Sequence, residues 1–182
     1  MITIEKSNLK NKLSIKDISK DYYKVKISGI YGNIKNYFRK EVVMKVSSNS
    51  ILLEPYTFTK ETKSLLQTYK TKILNSFSDV DYGFFVILEV RGVGTKVQYS
   101  LGQLVFNLGF SHQVKYNLPE GIIGRVLDDK GSVFLLFGNS RDLVLSTAAK
   151  VRSLKKKDIY KGKGIFFFGE EVTLKEGKGK NA

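Results

Sequence analysis

Between Asp158 and Lys180 the chain sets lysines against glycines: Tyr160, Lys161, Gly162, Lys163 and Gly164 stand in a row, and Lys175, Gly177, Lys178, Gly179 and Lys180 come after them. An ammonium group donates strongly to phosphate oxygens, and a neighbouring glycine removes bulk so that backbone amides can reach the same anion. Tyr160 adds a ring that can stack on a base, or a hydroxyl that can reach a phosphate. The chemistry suited to this pattern is the holding of a nucleic-acid backbone. Upstream, Arg152 precedes the uninterrupted run Lys155, Lys156 and Lys157. From residue 150 onward ten basic side chains face four acidic ones, within a whole-chain formal charge of +14. Cations at that density neutralise phosphates and release their counterions, which gives a salt-dependent affinity. Gly162 and Gly164 also suit a turn between a helix and a last strand over 165–168, and the two roles are compatible.

Other chemistry finds few residues to carry it. The 182 residues include no cysteine and one histidine, His112, so disulfides, thiolate nucleophiles, cysteine-built zinc sites and two-histidine metal sites are excluded. A lone histidine in the turn-like Gly109-Phe110-Ser111 context suits a hydrogen-bonding or RNA-contact role. Gly92 and Gly94 precede Lys96 without the spacing or the Gly-Lys-Ser/Thr ending of a phosphate loop. The carboxylate pairs Asp128-Asp129 and Glu170-Glu171 are adjacent in sequence, so their side chains splay; a solvated turn or rim is expected for both. No catalytic residue, cofactor, metal or small-molecule substrate is expected. No apolar run approaches the roughly 20 residues of a membrane span, and the basic stretch lacks a long apolar helical face for a lipid surface. RNA therefore ranks above membrane as the polyanion.

Periodicity gives the strands and helices that carry these residues. Tyr23, Val25 and Ile27 alternate with Lys24 and Lys26, a turn at Gly32 and Asn33 leads to a second strand ending at Phe38, and 42–46 with 51–53 form a hairpin across Ser47 to Ser50. Pro55 stops the strand. Thr59 is a suitable N-cap, with Glu61 in the first turn, for a helix burying Leu66, Tyr69, Ile73 and Phe77 at spacings of three and four. The plan then recurs: a strand over 122–127, a turn at 128–131, a strand over 133–137, a cap at Asn139 or Ser140, and a helix through Leu154 burying Val144, Ala148, Val151 and Leu154. An offset of about 80 residues aligns Val42 with Ile122, Val46 with Val126 and Gly29 with Gly109, the mark of a diverged internal duplication.

The expected fold class is α+β: two tandem duplicated modules, each a small antiparallel sheet with one packed helix, spanning 1–82 and 83–174, with a basic flexible tail over 175–182. Residues 1–21 alternate lysine and asparagine with isolated aliphatics and show no cleavable targeting pattern. Arginine occurs at only five positions, Arg39, Arg91, Arg125, Arg141 and Arg152, in a chain rich in Lys, Asn, Ile, Tyr and Phe. That bias suggests an AT-rich genome.

Three motifs occur in order: Arg91 through Val97 with its two glycines, Leu108-Gly109-Phe110-Ser111-His112, and Leu118-Pro119-Glu120-Gly121-Ile122. With Thr147 to Arg152 and Tyr160 to Ile165, they resemble the family of the universal sixth protein of the large ribosomal subunit in its bacterial form. The resemblance is specific from about 88 to 178, and upstream rests on 25–29, Gly32 and the helix. It departs at Gln113, where the family usually has proline, at the opening of the chain and at the start of the second helix. It implies a non-enzymatic, duplicated two-domain protein bound to large-subunit rRNA beside the sarcin–ricin loop, with ribosomal proteins as neighbours and translational GTPases docking nearby. By position it implies RNA contacts from Ser111, His112, Arg152, Tyr160, Lys161, Gly162, Lys163 and Gly164, with Lys155, Lys156, Lys157, Lys175, Lys178 and Lys180 alongside. The compositional bias points to the large subunit of a mitochondrial ribosome, with an AT-rich bacterium or a plastid as the alternative. A general nucleic-acid-binding module without a ribosomal role is the alternative function.

Overall fold

The structure is a computed structural model that describes residues 2–5, 12–17, 21–47 and 50–175. The chain divides into two compact units, one ending at Gly83 and the next beginning at Phe84.

The first unit contains β1 (Ile2–Glu5), β2 (Lys12–Asp17), β3 (Tyr22–Gly29), β4 (Gly32–Arg39), β5 (Val42–Val46), β6 (Ser50–Pro55) and the helix α1 (Lys60–Tyr82). These strands form two three-stranded antiparallel sheets, β2-β3-β4 and β1-β6-β5, where a single sheet is expected from the sequence. Strand pairing also begins before Tyr22: Ile2 pairs with Leu53, and Leu13 with Ile27. Short strands in a lysine- and asparagine-rich segment carry little local signal, and the partner of β1 lies about 50 residues along the chain.

α1 starts as its sequence demands. Thr59 Oγ1 accepts from Thr62 N–H at 3.2 Å, while Thr62 Oγ1 accepts from Thr59 N–H at 3.1 Å. This reciprocal capping box satisfies amides that have no partner within the helix. The helix buries Leu66, Tyr69, Ile73, Phe77 and Val80 against Val25, Ile27, Phe38, Val42, Ile51 and Leu53. Burying one such side chain contributes roughly 1.5–3 kcal/mol. Phe38 meets Tyr69 edge-on at 4.7 Å, and the Tyr69 hydroxyl accepts from Arg39 N–H at 3.0 Å, so the ring is buried with its polar end satisfied.

The second unit repeats this order with β7 (Phe84–Arg91), β8 (Lys96–Ser100), β9 (Gln103–Asn107), β10 (Val114–Asn117), β11 (Ile122–Val126), β12 (Val133–Gly138), α2 (Arg141–Ser153) and an added strand, β13 (Gly164–Phe167). The meander β8-β9-β10 corresponds to β2-β3-β4, and β11-β12-β7 corresponds to β5-β6-β1. In each unit the first strand pairs with the sixth and encloses a three-stranded meander, so the duplication is written in the topology. β13 extends the second sheet by pairing with β7, Ile165 opposite Val90. Ser140 is the N-cap of α2, but its side chain makes no cap hydrogen bond. α2 lies on β7, β12 and β13, burying Val144, Ala148 and Val151 against Leu88, Phe134, Leu136 and Ile165. Leu154, placed on the helix by its spacing, is the half-buried C-cap. Of the three consecutive phenylalanines, Phe166 is fully buried and Phe168 is exposed.

Candidate nucleic-acid interface

The second unit departs from the first in the segment beyond its helix. Residues 155–163 lead from α2 to β13, and four hydrogen bonds close the end of this connection into a compact turn. Asp158 Oδ1 accepts from the N–H groups of Tyr160 at 2.9 Å and Lys161 at 3.3 Å. Asp158 N–H donates to Lys163 O at 2.8 Å, and Gly162 N–H donates to Asp158 O at 2.9 Å. Backbone donors favour the charged carboxylate, so Tyr160 N–H first, then Lys161 N–H, hold the Asp158 carboxyl below its ordinary range, helped by the Lys161 and Lys163 charges.

Two glycines are structural requirements of this turn. Gly162 has φ +64° and Gly164 has φ +141°. A Cβ on Gly164 would lie 2.8 Å from Lys157 Cα and 3.0 Å from Lys156 O, both backbone atoms. Only glycine permits that approach in that conformation. The turn leaves Tyr160, Lys161 and Lys163 on the outside, Tyr160 57% exposed.

The cations around the turn fall into two sets. Arg152 Nη2 and Lys157 Nζ donate to the same oxygen of Glu170, at 2.6 and 2.7 Å, and the other Glu170 oxygen accepts from Phe167 N–H at 3.2 Å. The Arg152 guanidinium also lies 4.9 Å from the centre of the Phe167 ring. The Lys157 hydrogen bond is the leading cause that holds the Glu170 carboxyl below its usual range, and it and the other favourable contacts outweigh the opposing effect of burial. Glu170 is therefore a brace between α2, the loop and the end of β13, where a solvated rim is expected from its sequence context. Adjacency in sequence shows that Glu170 and Glu171 diverge; it does not show which of them turns inward.

Lys155 is also held. Its Nζ donates to the carbonyl of Leu108 and lies 5.1 Å from the centre of the Phe110 ring. Phe110 in turn stacks on His112, with centroids 6.3 Å apart and planes 19° from parallel. Lys155 thus brings the β9–β10 connection, with exposed Ser111 and His112, to the α2–β13 connection. Lys175 joins the same region because its N–H donates to Ile159 O at 3.0 Å. Lys156, Lys161, Lys163 and Lys175 are exposed and make no ion pair among the described residues.

The residues singled out from sequence thus gather at one end of the second unit, in two roles. Arg152, Lys155 and Lys157 bind protein groups; Lys156, Tyr160, Lys161, Lys163 and Lys175 face outward, with Ser111 and His112 beside them. Lys178 and Lys180 lie outside the described residues. The structure adds Phe110, the platform under Lys155, and Arg91, whose guanidinium covers the Phe166 ring at 4.7 Å and bonds to Glu89 at 2.9 Å. The Glu89 hydrogen bond raises the Arg91 pKa. The register pairs Arg91 with Gly164, and a Cβ on Gly92 would lie 3.7 Å from Lys163 Cγ, so the β7–β8 turn borders the patch. Phe110 directly precedes Ser111 and His112 in a motif already singled out, a signal available from sequence; the role of Arg91 depends on the pairing of β13 with β7. The arrangement offers ammonium groups and an aromatic ring on a braced turn, while the amides of Tyr160, Lys161 and Gly162 are engaged within the turn by Asp158.

Residues 91–167 match the family described as Ribosomal protein L6. Among curated proteins, the chain is similar to the large ribosomal subunit protein uL6 of Streptococcus uberis, with 36% identity over 162 residues, covering 89% of this chain and 90% of that protein. The protein of the same name from Bdellovibrio bacteriovorus is 34% identical over 154 residues, covering 85% and 84%. That of Streptococcus thermophilus is 36% identical over 154 residues, covering 85% of each chain.

Proposed function

The chain belongs to the ribosomal protein L6 family, and from that membership we propose that its second unit fastens it to the RNA of a large ribosomal subunit beside the sarcin–ricin loop. The protein is a structural component and not an enzyme. It works by electrostatic clamping: a rigid sheet-and-helix unit presents cations at fixed positions to a folded RNA backbone and recognises shape more than sequence. The observation that carries this reading is the turn closed by Asp158, which projects Tyr160, Lys161 and Lys163 outward while Glu170 and Lys155 brace it from behind. At that location ribosomal proteins are its neighbours, and translational GTPases dock close by. The Lys- and Asn-rich, arginine-poor composition supports a mitochondrial ribosome as its home.

The test is a titration over salt of the full chain with an rRNA fragment bearing the sarcin–ricin stem-loop, beside an unrelated RNA of equal length. The fragment is expected to keep its preference at moderate salt. Each phosphate contact contributes about 0.7–0.9 to the slope of log affinity against log salt, so Lys161→Gln with Lys163→Gln should make that slope shallower by about one to two. Equal affinities for both RNAs that collapse together with salt would instead mark a general nucleic-acid-binding module.

A further inference from the structure

The meander β2-β3-β4 of the first unit has two different faces. Val25 and Ile27 of β3, with Ile34, Asn36 and Phe38 of β4, are buried on the side of α1. Strand alternation sends Tyr22, Lys24, Lys26 and Ser28 of β3, and Asn33, Lys35, Tyr37 and Arg39 of β4, to the other side. The register sets Tyr22 opposite Arg39, Lys24 opposite Tyr37, and Lys26 opposite Lys35; on the far side of β3 it pairs Lys16 with Lys24. Tyr22 and Tyr37 are 41% and 57% exposed, and Lys24 Nζ lies 5.9 Å from the centre of the Tyr37 ring. Arg39 meets Glu41 at 3.8 Å, whereas Lys24, Lys26 and Lys35 make no ion pair among the described residues.

This arrangement is unfavourable for the isolated sheet. Like charges directly opposite one another on neighbouring strands repel, and a residue choice that breaks a local rule without a compensating contact within the fold points to a requirement outside it. A phosphate group between Lys26 and Lys35 removes the repulsion. Lys24, two residues along β3 and so about 7 Å away, can take a second phosphate. The exposed Tyr22 and Tyr37 rings provide surfaces on which unpaired bases stack.

We infer that the outer face of β3 and β4 is a second RNA-binding surface, separate from the turn of the second unit, which takes an RNA strand with unpaired bases through Lys24, Lys26, Lys35 and the two tyrosines. RNA is favoured over an anionic lipid surface because neither strand presents an aliphatic side chain on this face, and an interfacial anchor must bury apolar side chains as well as bind headgroups.

The experiment uses the full chain with transcribed large-subunit rRNA. Lys24→Gln, Lys26→Gln and Lys35→Gln, combined, should make the salt slope shallower by about two to three, because three phosphate contacts are lost. The melting temperature should hold or rise, since none of the three side chains is buried and the substitutions remove repulsion. The variant at Lys161 and Lys163 is run in parallel, so failure of this surface and failure of the turn are read separately. An unchanged slope for the triple variant would overturn the inference. So would unchanged rRNA binding together with lost binding to phosphatidylserine vesicles, which would assign the face to lipid.

Discussion

Replacing Glu170 with glutamine separates two things this side chain does. Its carboxylate holds Arg152 and Lys157 through one oxygen, at 2.6 and 2.7 Å, and Phe167 N–H through the other. Glu170 and Arg152 are mostly buried, at 21% and 27% side-chain exposure, so the pair is worth more than a surface ion pair; Lys157, at 43%, is screened by solvent and adds little. A hydrogen bond to a charged group contributes about 1.5–3 kcal/mol, and glutamine keeps one acceptor oxygen, so Glu170→Gln should cost about 1–2 kcal/mol. For a unit of this size that lowers the melting temperature by roughly 4–16 °C. RNA binding should move the other way. The substitution removes one negative charge from the patch and frees two cations; if both then reach phosphates, the salt slope steepens by about 1.4–1.8. Thermal unfolding and a salt titration on the same protein measure both effects. Lost stability with an unchanged slope would show that Arg152 and Lys157 do not reach phosphates even when released, and would refute the predicted gain in RNA binding. Unchanged stability would refute the brace itself.

Two further predictions rest on carboxylates and a glycine of the second unit. Gly164→Ala should destabilise that unit by about 2 kcal/mol or more, because its Cβ would meet Lys157 Cα at 2.8 Å in a conformation that side chains disfavour; a melting temperature within a degree of the unsubstituted protein would contradict this. The pH dependence comes from Asp128, Asp158 and Glu170, each held below the ordinary carboxylate value: Asp128 first by the Ser132 hydroxyl, Asp158 by backbone amides, and Glu170 first by Lys157. A depressed folded-state pKa contributes stability that is fully present above the unfolded value, near ~4, and is lost as pH falls through the folded value. Denaturant unfolding should therefore show stability that is steady as pH falls towards about 4 and declines below it, with Asp128→Asn flattening that acid limb; an equally steep limb in the variant would exclude Asp128 as a source.

The features legible in the sequence were local or periodic. The alternation at Tyr23, Val25 and Ile27, the spacing of Leu66, Tyr69, Ile73 and Phe77, and Thr59 ahead of them state strand, helix and cap within a few residues, because each depends on neighbours one to four positions away. The 80-residue offset revealed the duplication, since two copies of one plan leave the same punctuation twice. The lysine-glycine run states a density of cations, which depends on residue type alone.

Tertiary structure decided the features that depend on distant partners. β1 exists by pairing with β6, about 50 residues on, and the division of each unit into two sheets, β8, β9 and β10 forming one of them, was not revealed by the motifs, although Val97, Leu104 and Phe106 are buried from those strands. Among ten cations of similar character near the C-terminal end, sequence had no means to tell those that brace from those that face outward. That division came from Glu170 reaching back to Arg152, 18 residues away, and from Lys155 reaching Leu108, 47 residues away. A lysine's charge is set by its type, but whether it is available to a ligand is set by which acceptors the fold brings within about 3 Å of it.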